Sequence, residues 1–422
     1  MKRIISILLA LVMLSAVAAC GGTPSTSEAP PSPPAEPSAS ASGEPSQPPQ
    51  SSTPADAPPA GAPDYSAASG FALSADSFPD RSTPYKFVFV SNQWDQTVAY
   101  VEEGFEFYAK QVGSTCEAVQ SDSDADKLIR NVENYIVKGY DGFFINVMPS
   151  TSGRVAEICD ENDVIWSAVS GIPRDNDDVV IAPYVEVNNT VVGTQLTDEA
   201  VAWAKNNLDG FNEAEAMVLI LDLSGAEELH ARSVAMEARA KEIVPGAKLE
   251  LADTIAESTG AFDNELSYNM VSRRLAANPG VKYWIILGPF DYLSVGCVRA
   301  VEEYGVDGNT VVASCNGDLY IPLLEEGTSS AWRFCLYWDM AVMAKYLFFG
   351  LYARVSGAVE GPELWPDFVK PGEPNAGLQM KAVIMDPSNY EDILGYIDNV
   401  TGLSHYNKQW TSGTEYELLD FS

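Results

Sequence analysis

Three side chains suited to binding a polar solute, Asn92, Gln93 and Trp94, follow one another in the sequence. An amide both donates and accepts hydrogen bonds, so it pairs well with hydroxyl groups, and an aromatic ring covers the C–H face of a small molecule. A buried hydrogen-bonding group left without a partner costs about 1–3 kcal/mol, so such a site must meet each polar group of its ligand. These residues predict reversible binding of a polyol.

Motifs for covalent, phosphate or metal chemistry are absent from the sequence. It has no GxSxG elbow, no P-loop and no HExxH motif, and only two histidines. We therefore expect no catalytic residue, no metal and no cofactor. The cysteines after Cys20 show no zinc-type spacing, and we expect them to be buried as small apolar side chains, with one disulfide left open as an alternative: Cys116, Cys159, Cys297, Cys315 and Cys335.

The three polar and aromatic residues follow a predicted buried strand. The apolar run from Phe87 to Val90 stops at Ser91, and residues 96–113 have apolar side chains near helical spacing. The same order of apolar run and amphipathic segment recurs at GYDGFFINVM, AMVLILDLSG and VKYWIILGPFD. Strands alternating with helices predict an α/β fold with parallel sheets, in which ligands bind at the carboxyl ends of the strands.

The first 83 residues have a different composition. The chain opens with two basic residues and an apolar stretch that ends in VAAC, which predicts a lipoprotein signal peptide over residues 1–20 with lipidation at Cys20. An ordinary signal peptide with an incidental cysteine is the alternative. Residues 21–83 consist largely of Pro, Ser, Ala, Gly and Thr, and we predict a disordered stalk there.

The formal net charge of −34 excludes one class of partner. Nucleic-acid binding needs Lys and Arg side chains against phosphates, so we expect no nucleic-acid partner. Otherwise, such a charge usually means an acidic surface in contact with water.

Several segments in a fixed order resemble the type I periplasmic-binding-protein family, in particular the sugar-binding proteins of ABC transporters. The resemblance covers about residues 85–398, and its marks are KFVFVSNQW, GYDGFFINVMPS, EVNNTVVGTQLTDEAVAWA, HARSVAMEARAKEI, FDYLSVGCVRAVEEYG, VVASCNGD and MAVMAKYLFFG. The resemblance implies two Rossmann-like lobes joined by three crossovers, with the ligand cleft between the lobes.

The order of motifs also implies domain boundaries. The N-terminal lobe would comprise residues 84–188 and 337–375, and the C-terminal lobe residues 189–336 and 376–400. Residues 401–422 would form a C-terminal tail.

Ligand-binding residues follow from the same resemblance, from the loops after the strands. In the first lobe they are Asn92, Gln93, Trp94, Met148, Ser150, Arg174 and Asp175. The last two come a few residues after the strand end at which ribose-type members often have Asp-Arg. In the second lobe and the last crossover they are Arg232, Phe290, Asp291, Asn316, Asp318, Tyr337 and Trp338.

Two of these positions have an alternative interpretation. Arg232 fits either a family arginine that binds ligand hydroxyls or an exposed arginine on a surface helix. Trp94 and Trp338 are candidate rings against the sugar face, although an ordinary core tryptophan is the competing interpretation.

The function implied is a lipid-anchored, extracytoplasmic solute-binding protein that delivers a sugar-like ligand to an ABC transporter permease. The same fold could serve as a ligand-sensing subunit of a signalling receptor. A secreted carbohydrate-active enzyme with two carboxylates is a further alternative, although 59 acidic residues make candidate pairs uninformative.

Overall fold

Buried strands and amphipathic helices alternate in the first part of the chain, as their hydrophobic patterns predict. The structure is a computed structural model and describes residues 73–92, 96–148, 150–253, 264–327, 331–359, 363–401 and 418–419. Asp124 begins α2, where its side chain accepts a hydrogen bond from the backbone N–H of Lys127 at 2.9 Å. The first elements are β1 (Lys86–Ser91), α1 (Gln96–Gln111), β2 (Thr115–Gln120), α2 (Ala125–Val137), β3 (Gly142–Ile145), α3 (Ser152–Glu161), β4 (Ile165–Val169) and β5 (Tyr184–Val187).

The middle of the chain repeats this alternation. Asn188 caps the first helix of this part by accepting a hydrogen bond from the N–H of Val191, and Gly305 ends another helix in the left-handed conformation. The elements are α4 (Asn189–Asn207), β6 (Ala216–Asp222), α5 (Glu227–Ile243), β7 (Lys248–Asp253), α6 (Asn264–Ala277), β8 (Tyr283–Gly288), α7 (Asp291–Tyr304), β9 (Thr310–Asn316), α8 (Tyr320–Glu326) and β10 (Trp332–Tyr337).

The last part of the chain adds to both halves. Asp339 caps a long, almost wholly buried helix by accepting a hydrogen bond from the N–H of Val342 at 2.9 Å. The remaining elements are α9 (Met340–Val355), β11 (Gly377–Met380), β12 (Val383–Met385), α10 (Tyr390–Thr401) and β13 (Leu418–Leu419).

The strands form two separate sheets of mostly parallel pairs. The first sheet has the order β13-β11-β5-β4-β3-β1-β2, and the second has the order β12-β10-β9-β8-β6-β7. Only the edge pairs β11–β13 and β10–β12 are antiparallel among the described strands. In each sheet the strand order reverses next to the first strand, which is where open α/β sheets bind ligands. The α/β class of two lobes with parallel sheets, predicted from the sequence, is confirmed.

Both faces of the first sheet are covered. Phe87 and Phe89 of β1 point toward α1 and α9, where they meet the rings of Phe348 and Phe105 at 5.2 and 5.3 Å between centroids. The intervening Val88 and Val90 belong to a second apolar cluster with residues of α2 and α3. Burial on both faces explains why β1 is an uninterrupted apolar run.

Three segments connect the two lobes. The chain passes from β5 to α4 at Asn188, from β10 to α9 at residues 338–339, and from β11 to β12 at residues 381–382. The boundary predicted at residue 376 falls before this last crossing, because β11 pairs with β5 in the first sheet and only β12 joins the second. From there α10 packs against α9, and β13, within the predicted tail, pairs with β11.

The predicted stalk also ends earlier than expected. Ala75–Ser77 form a short 3-10 helix, and Phe78 is buried against Phe349 and Tyr352. The side chain of Arg81 donates a hydrogen bond to the carbonyl of Phe78 at 2.7 Å. Residues 73–83 therefore pack on the first lobe, because one large apolar ring in a Ser- and Pro-rich segment is enough to dock it. Residues 1–72, which include Cys20, lie outside the described part of the chain.

The described part of the chain contains neither a disulfide nor a helix suited to cross a membrane. The thiols of Cys159, Cys297, Cys315 and Cys335 are buried, Cys116 is half-buried, and none of them forms a disulfide. Among the described helices, none combines the length and apolarity needed to cross a membrane.

Candidate functional site

A cavity of about 930 Å³ lies at the carboxyl ends of the strands, between the two lobes. Its volume falls in the range of pockets that hold small molecules, roughly 300–1,000 Å³. The first lobe contributes Phe89, Asn92, Val98, Val101, Ser123, Asn146, Val147, Met148, Ser150, Val169, Ser170, Glu186, Val187, Met340 and Met343. The second lobe and the crossing at residue 338 contribute Asn189, Gly225, Ala226, Glu228, Leu229, Arg232, Phe290, Tyr292, Asn316 and Trp338.

Amides form the polar part of the first-lobe wall. Asn146 follows β3, and its Nδ2 donates to the carbonyl of Val169 at 2.8 Å, which holds the ends of β3 and β4 together. Asn92 follows β1, and its Oδ1 is buried without a hydrogen-bond partner among the described residues. A buried acceptor left unpaired is costly, so the Oδ1 of Asn92 is a group that a ligand donor would satisfy.

Three residues of the lining have left-handed backbone conformations although none is a glycine. The φ angles are +58° at Ser123, +56° at Ser170 and +97° at Asn316. Ser170 directly follows β4, Ser123 lies in the turn after β2, and Asn316 is the last residue of β9. Backbone of this kind costs of order 1–3 kcal/mol per residue and concentrates at binding sites.

Arg232 is the central polar group of the second-lobe wall. Its side chain is only 6% exposed, Nε donates to Asn189 Oδ1 at 2.7 Å, and Nη1 donates to the carbonyl of Pro289 at 2.9 Å. Its guanidinium carbon lies 4.8 Å from the ring centroid of Trp338. Burial lowers the pKa of Arg232, although an arginine remains charged. These contacts place a fixed, planar donor group in the cavity, and they exclude the alternative of an exposed surface arginine.

Aromatic rings supply the apolar part of the same wall. Phe290 and Tyr292 stack with 4.9 Å between ring centroids and 18° between ring planes, and both line the cavity. Trp338 is 3% exposed and lies against Arg232 in the crossing between β10 and α9. Flat rings beside hydrogen-bonding groups suit a molecule with both C–H faces and hydroxyls.

Two glutamates also line the cavity. Glu186 is nearly buried at the end of β5, and burial raises its pKa to about 7. Glu228 is exposed at the rim, and its Oε1 would lie 3.2 Å from a β-carbon at Gly171 of the first lobe. The two lobes therefore approach each other closely at this point of the rim. No group of three or more His, Cys, Asp or Glu side chains within the described ranges is arranged to hold a metal ion.

The structure brings seven of the predicted ligand-binding residues together. They come from segments far apart in the sequence, and all of them line the cavity: Asn92, Met148, Ser150, Arg232, Phe290, Asn316 and Trp338. Their contact with a ligand stays a prediction.

Arg174 and Asp175 do not belong to the described lining of the cavity. Arg174 Nη1 pairs with Glu373 at 3.1 Å, and the same side chain pairs with Asp178. Asp175 accepts hydrogen bonds from the backbone N–H groups of residues 177 and 179, both at 2.9 Å. Asp175 stabilises its own turn, whereas Arg174 is held by Asp178 of the same loop and by Glu373, which lies far away in the sequence.

Three further predicted residues point away from the cavity. Asp291 is fully buried, its Oδ2 accepts a hydrogen bond from the N–H of Leu319, and burial together with Asp318 raises its pKa well above the ordinary range. Asp318 accepts from Asn316 Nδ2 at 2.8 Å. The hydroxyl of Tyr337 donates to Asp339. These residues support the loops beside the cavity, whereas the predicted Gln93, Trp94 and Cys20 lie outside the described residues.

The sequence analysis missed the other lining residues, among them Asn146, Glu186, Asn189 and Tyr292. A signal existed for two of them. Asn146 interrupts the apolar run FFINVM, and Glu186 is the one acid in the buried strand YVEV. A polar residue inside an apolar strand needs a partner, and in both cases the strand end leads to the cavity.

Comparison with known proteins agrees with this geometry. The periplasmic binding protein domain family matches residues 87–358. An ABC transporter solute-binding protein from Bacillus halodurans with bound myo-inositol is 15% identical, has a TM-score of 0.56, and covers 75% of this chain and 98% of its own. A periplasmic one from Actinobacillus succinogenes with bound D-allose is 15% identical, with a TM-score of 0.58 and coverage of 74% and 100%.

A third solved structure is the 5-methylthioribose transporter solute-binding protein from Thermotoga lettingae, in complex with 5-methylthioribose. It is 16% identical, has a TM-score of 0.57, and covers 74% of this chain and 87% of its own. Identities this low establish similarity of fold alone. The search of curated proteins found no match.

Proposed function

Because the chain belongs to the periplasmic binding protein family, we propose that it is an extracytoplasmic solute-binding protein whose lobes close on a sugar or related polyol. The observation that carries this proposal is the cavity of about 930 Å³ at the carboxyl ends of both sheets. Its lining combines amides, a buried arginine and stacked aromatic rings.

The lining suits a polyol for energetic reasons. Each hydroxyl transferred from water needs a partner, and the described walls offer Asn92, Asn146, Asn189 and Arg232. The rings of Phe290 and its neighbours cover C–H surface. Micromolar affinity corresponds to about −8 kcal/mol, which a few charge-assisted hydrogen bonds and one or two stacked rings supply in a closed cleft. The ligands of the three similar structures, myo-inositol, D-allose and 5-methylthioribose, are also hydroxyl-rich.

Delivery and anchoring complete the proposal. The VAAC sequence ending at Cys20 supports attachment of lipid to this cysteine after signal-peptide removal, which would hold the protein on the outer face of the cell membrane. The partner would be an ABC transporter permease that accepts the ligand from the closed form. We propose no catalytic step.

Isothermal titration calorimetry of the full chain in detergent tests the binding function. The probes are pentoses, hexoses, cyclitols, hexosamines, hexuronates and aldonates. We expect at least one of them to bind with a Kd in the micromolar range or below. Absence of binding across the whole panel would refute the proposed function.

Metabolic labelling with an alkyne-bearing fatty acid tests the anchor. We expect the full chain to incorporate the label and to partition into the membrane fraction, and we expect Cys20→Ser to do neither. A Cys116→Ser variant is the matched control, because it removes a different thiol and should label normally. Equal labelling of Cys20→Ser would refute lipidation at this residue.

A further inference from the structure

Glu186 occupies a special position at the junction of the lobes. It lies in β5, one residue before the end of the strand that leads into the first crossing, and its side chain is 7% exposed. Its Oε1 accepts a hydrogen bond from Gln379 Nε2 at 2.9 Å, and Gln379 Oε1 accepts one from Asn188 Nδ2 at 3.1 Å. Segments at the first and third crossings therefore hold this carboxyl group in one orientation.

The second oxygen of this carboxyl group, Oε2, is available to a ligand in the cavity. No described residue donates a hydrogen bond to Glu186 Oε2, and no described cation lies within ion-pairing distance. Arg174 and Lys370 act on Glu186 only from further away, and Arg174 is paired with Glu373. Among the described residues, Glu186 therefore lacks the close cationic partner that a buried carboxylate ordinarily has.

The burial of Glu186 without a close described cation affects its pKa. Burial raises the pKa of Glu186 to about 7, and the hydrogen bond from Gln379 and the distant charges of Lys370 and Arg174 only partly oppose this shift. A hydrogen-bond donor from a ligand would stabilise the charged form. Asn92 Oδ1 is a second buried acceptor without a donor in the same cavity.

Arg232 is the one cationic side chain among the described lining residues, and two of its five N–H groups already have acceptors. Arg232 has two hydrogen-bond acceptors, Asn189 and the carbonyl of Pro289, and it stacks on Trp338. The other ionisable side chains among the described lining residues, apart from the Tyr292 hydroxyl, are Glu186 and Glu228. A ligand with a carboxylate would place a third negative group beside them.

Resting on the proposed function, we propose that Glu186 is a specificity-determining residue. Its free carboxylate oxygen accepts a hydrogen bond from a hydroxyl or amine of the ligand, and its charged form, which that hydrogen bond stabilises, disfavours sugar acids. Neutral polyols and amino sugars are then the substrate class. Gln379, which is itself bonded to Asn188, holds Glu186 between the first and third crossings. This contact therefore also links ligand binding to the segments about which the lobes move.

The test uses the same calorimetric panel with wild type and Glu186→Gln. The variant keeps the volume and can keep the hydrogen bond from Gln379, but its amide nitrogen faces the donor of the ligand. We expect the tightest wild-type ligand to be neutral or amine-bearing, and we expect Glu186→Gln to weaken it by about tenfold or more. The preference for that ligand over its uronate or aldonate counterpart should also shrink. Glu326→Gln, which changes an exposed carboxylate on α8, is the control and should bind as wild type.

The outcomes separate the two proposals. A wild type that binds no probe refutes the proposed function, and the role of Glu186 falls with it. A wild type that prefers a sugar acid overturns the role of Glu186 alone, and this measurement needs no variant. Binding of the tightest ligand by Glu186→Gln with unchanged affinity overturns it as well.

Discussion

Replacing Glu186 with Gln should make the ligand-free protein more stable at high pH and leave it nearly unchanged at low pH. The pKa of Glu186 is raised from 4.5 to about 7 by burial, so the folded state holds a proton that the unfolded state releases. The stability associated with this proton is fully present below pH 4.5 and is lost as the pH rises to about 7. A shift of this size corresponds to about 3 kcal/mol at 1.36 kcal/mol per pKa unit.

Most of the effect falls in a range that is convenient to measure. Between pH 5 and pH 8 the two-state linkage relation assigns about 2–3 kcal/mol to this single group. The lower limit stays above the sequence pI of about 4.2, near which precipitation would interfere. Urea titrations of both proteins at the two pH values, after unfolding and dialysis to remove any ligand, give the free energies of unfolding.

The test is how the difference in free energy of unfolding between wild type and Glu186→Gln changes with pH. We expect Glu186→Gln to gain about 2–3 kcal/mol relative to wild type on going from pH 5 to pH 8. Glu326→Gln, which alters an exposed side chain, should show no such change. A difference between wild type and Glu186→Gln that is the same at both pH values would refute the assignment of a raised pKa to Glu186.

Three other substitutions test the binding wall, the helix packing and the N-terminal segment. Arg232→Lys should weaken binding of the tightest panel ligand by about tenfold or more, because an ammonium cannot replace the planar group that stacks on Trp338; unchanged affinity in calorimetry would contradict this. Gly193→Ala should cost about 1–3 kcal/mol in urea unfolding, since its β-carbon would lie 2.3 Å from the carbonyl oxygen of Arg232. Gly153→Ala, with nothing within 4 Å, is its control, and equal effects would refute the packing argument. Phe78→Ala should lower the free energy of unfolding by about 3 kcal/mol by removing a buried ring, and an unchanged urea midpoint would show that residues 73–83 are not docked.

The fold was predictable because its signals are local and repeated. Each apolar run of the central strands is buried on both faces, and the strand β6 from Ala216 to Asp222 is buried at every position. Polar residues that immediately follow such strands were also predictable. Asn92 and Asn316 line the cavity because parallel strands bring their carboxyl ends to one edge of a sheet.

The missed and misplaced residues depend on contacts that no local pattern contains. Glu186 faces the cavity because Gln379, 193 positions later, holds one of its oxygens. Arg174 is drawn out of reach by Glu373, 199 positions away. At the second crossing Trp338 lines the cavity while the hydroxyl of neighbouring Tyr337 donates a hydrogen bond to Asp339, and the direction of the chain there decides which side chain faces the cavity.

The boundary of the stalk shows a related difficulty. Composition averaged over residues 21–83 is that of a disordered segment, and Phe78 is one apolar residue within it. Its binding place is formed by rings of α9 that come more than 250 residues later. Composition therefore predicted the segment as a whole and missed the part that the fold captures.

The left-handed backbone at Ser123, Ser170 and Asn316 has a consequence for protein engineering. Glycine adopts these angles without steric cost, so a glycine at any of the three positions should raise thermal tolerance while removing a side chain from the cavity wall. A library of variants selected only for heat resistance would accumulate glycines at these sites and would bind the ligand less well. Anyone retargeting this cavity as a biosensor should therefore hold these three positions fixed while stability is improved elsewhere, and vary them only when the ligand itself is under selection.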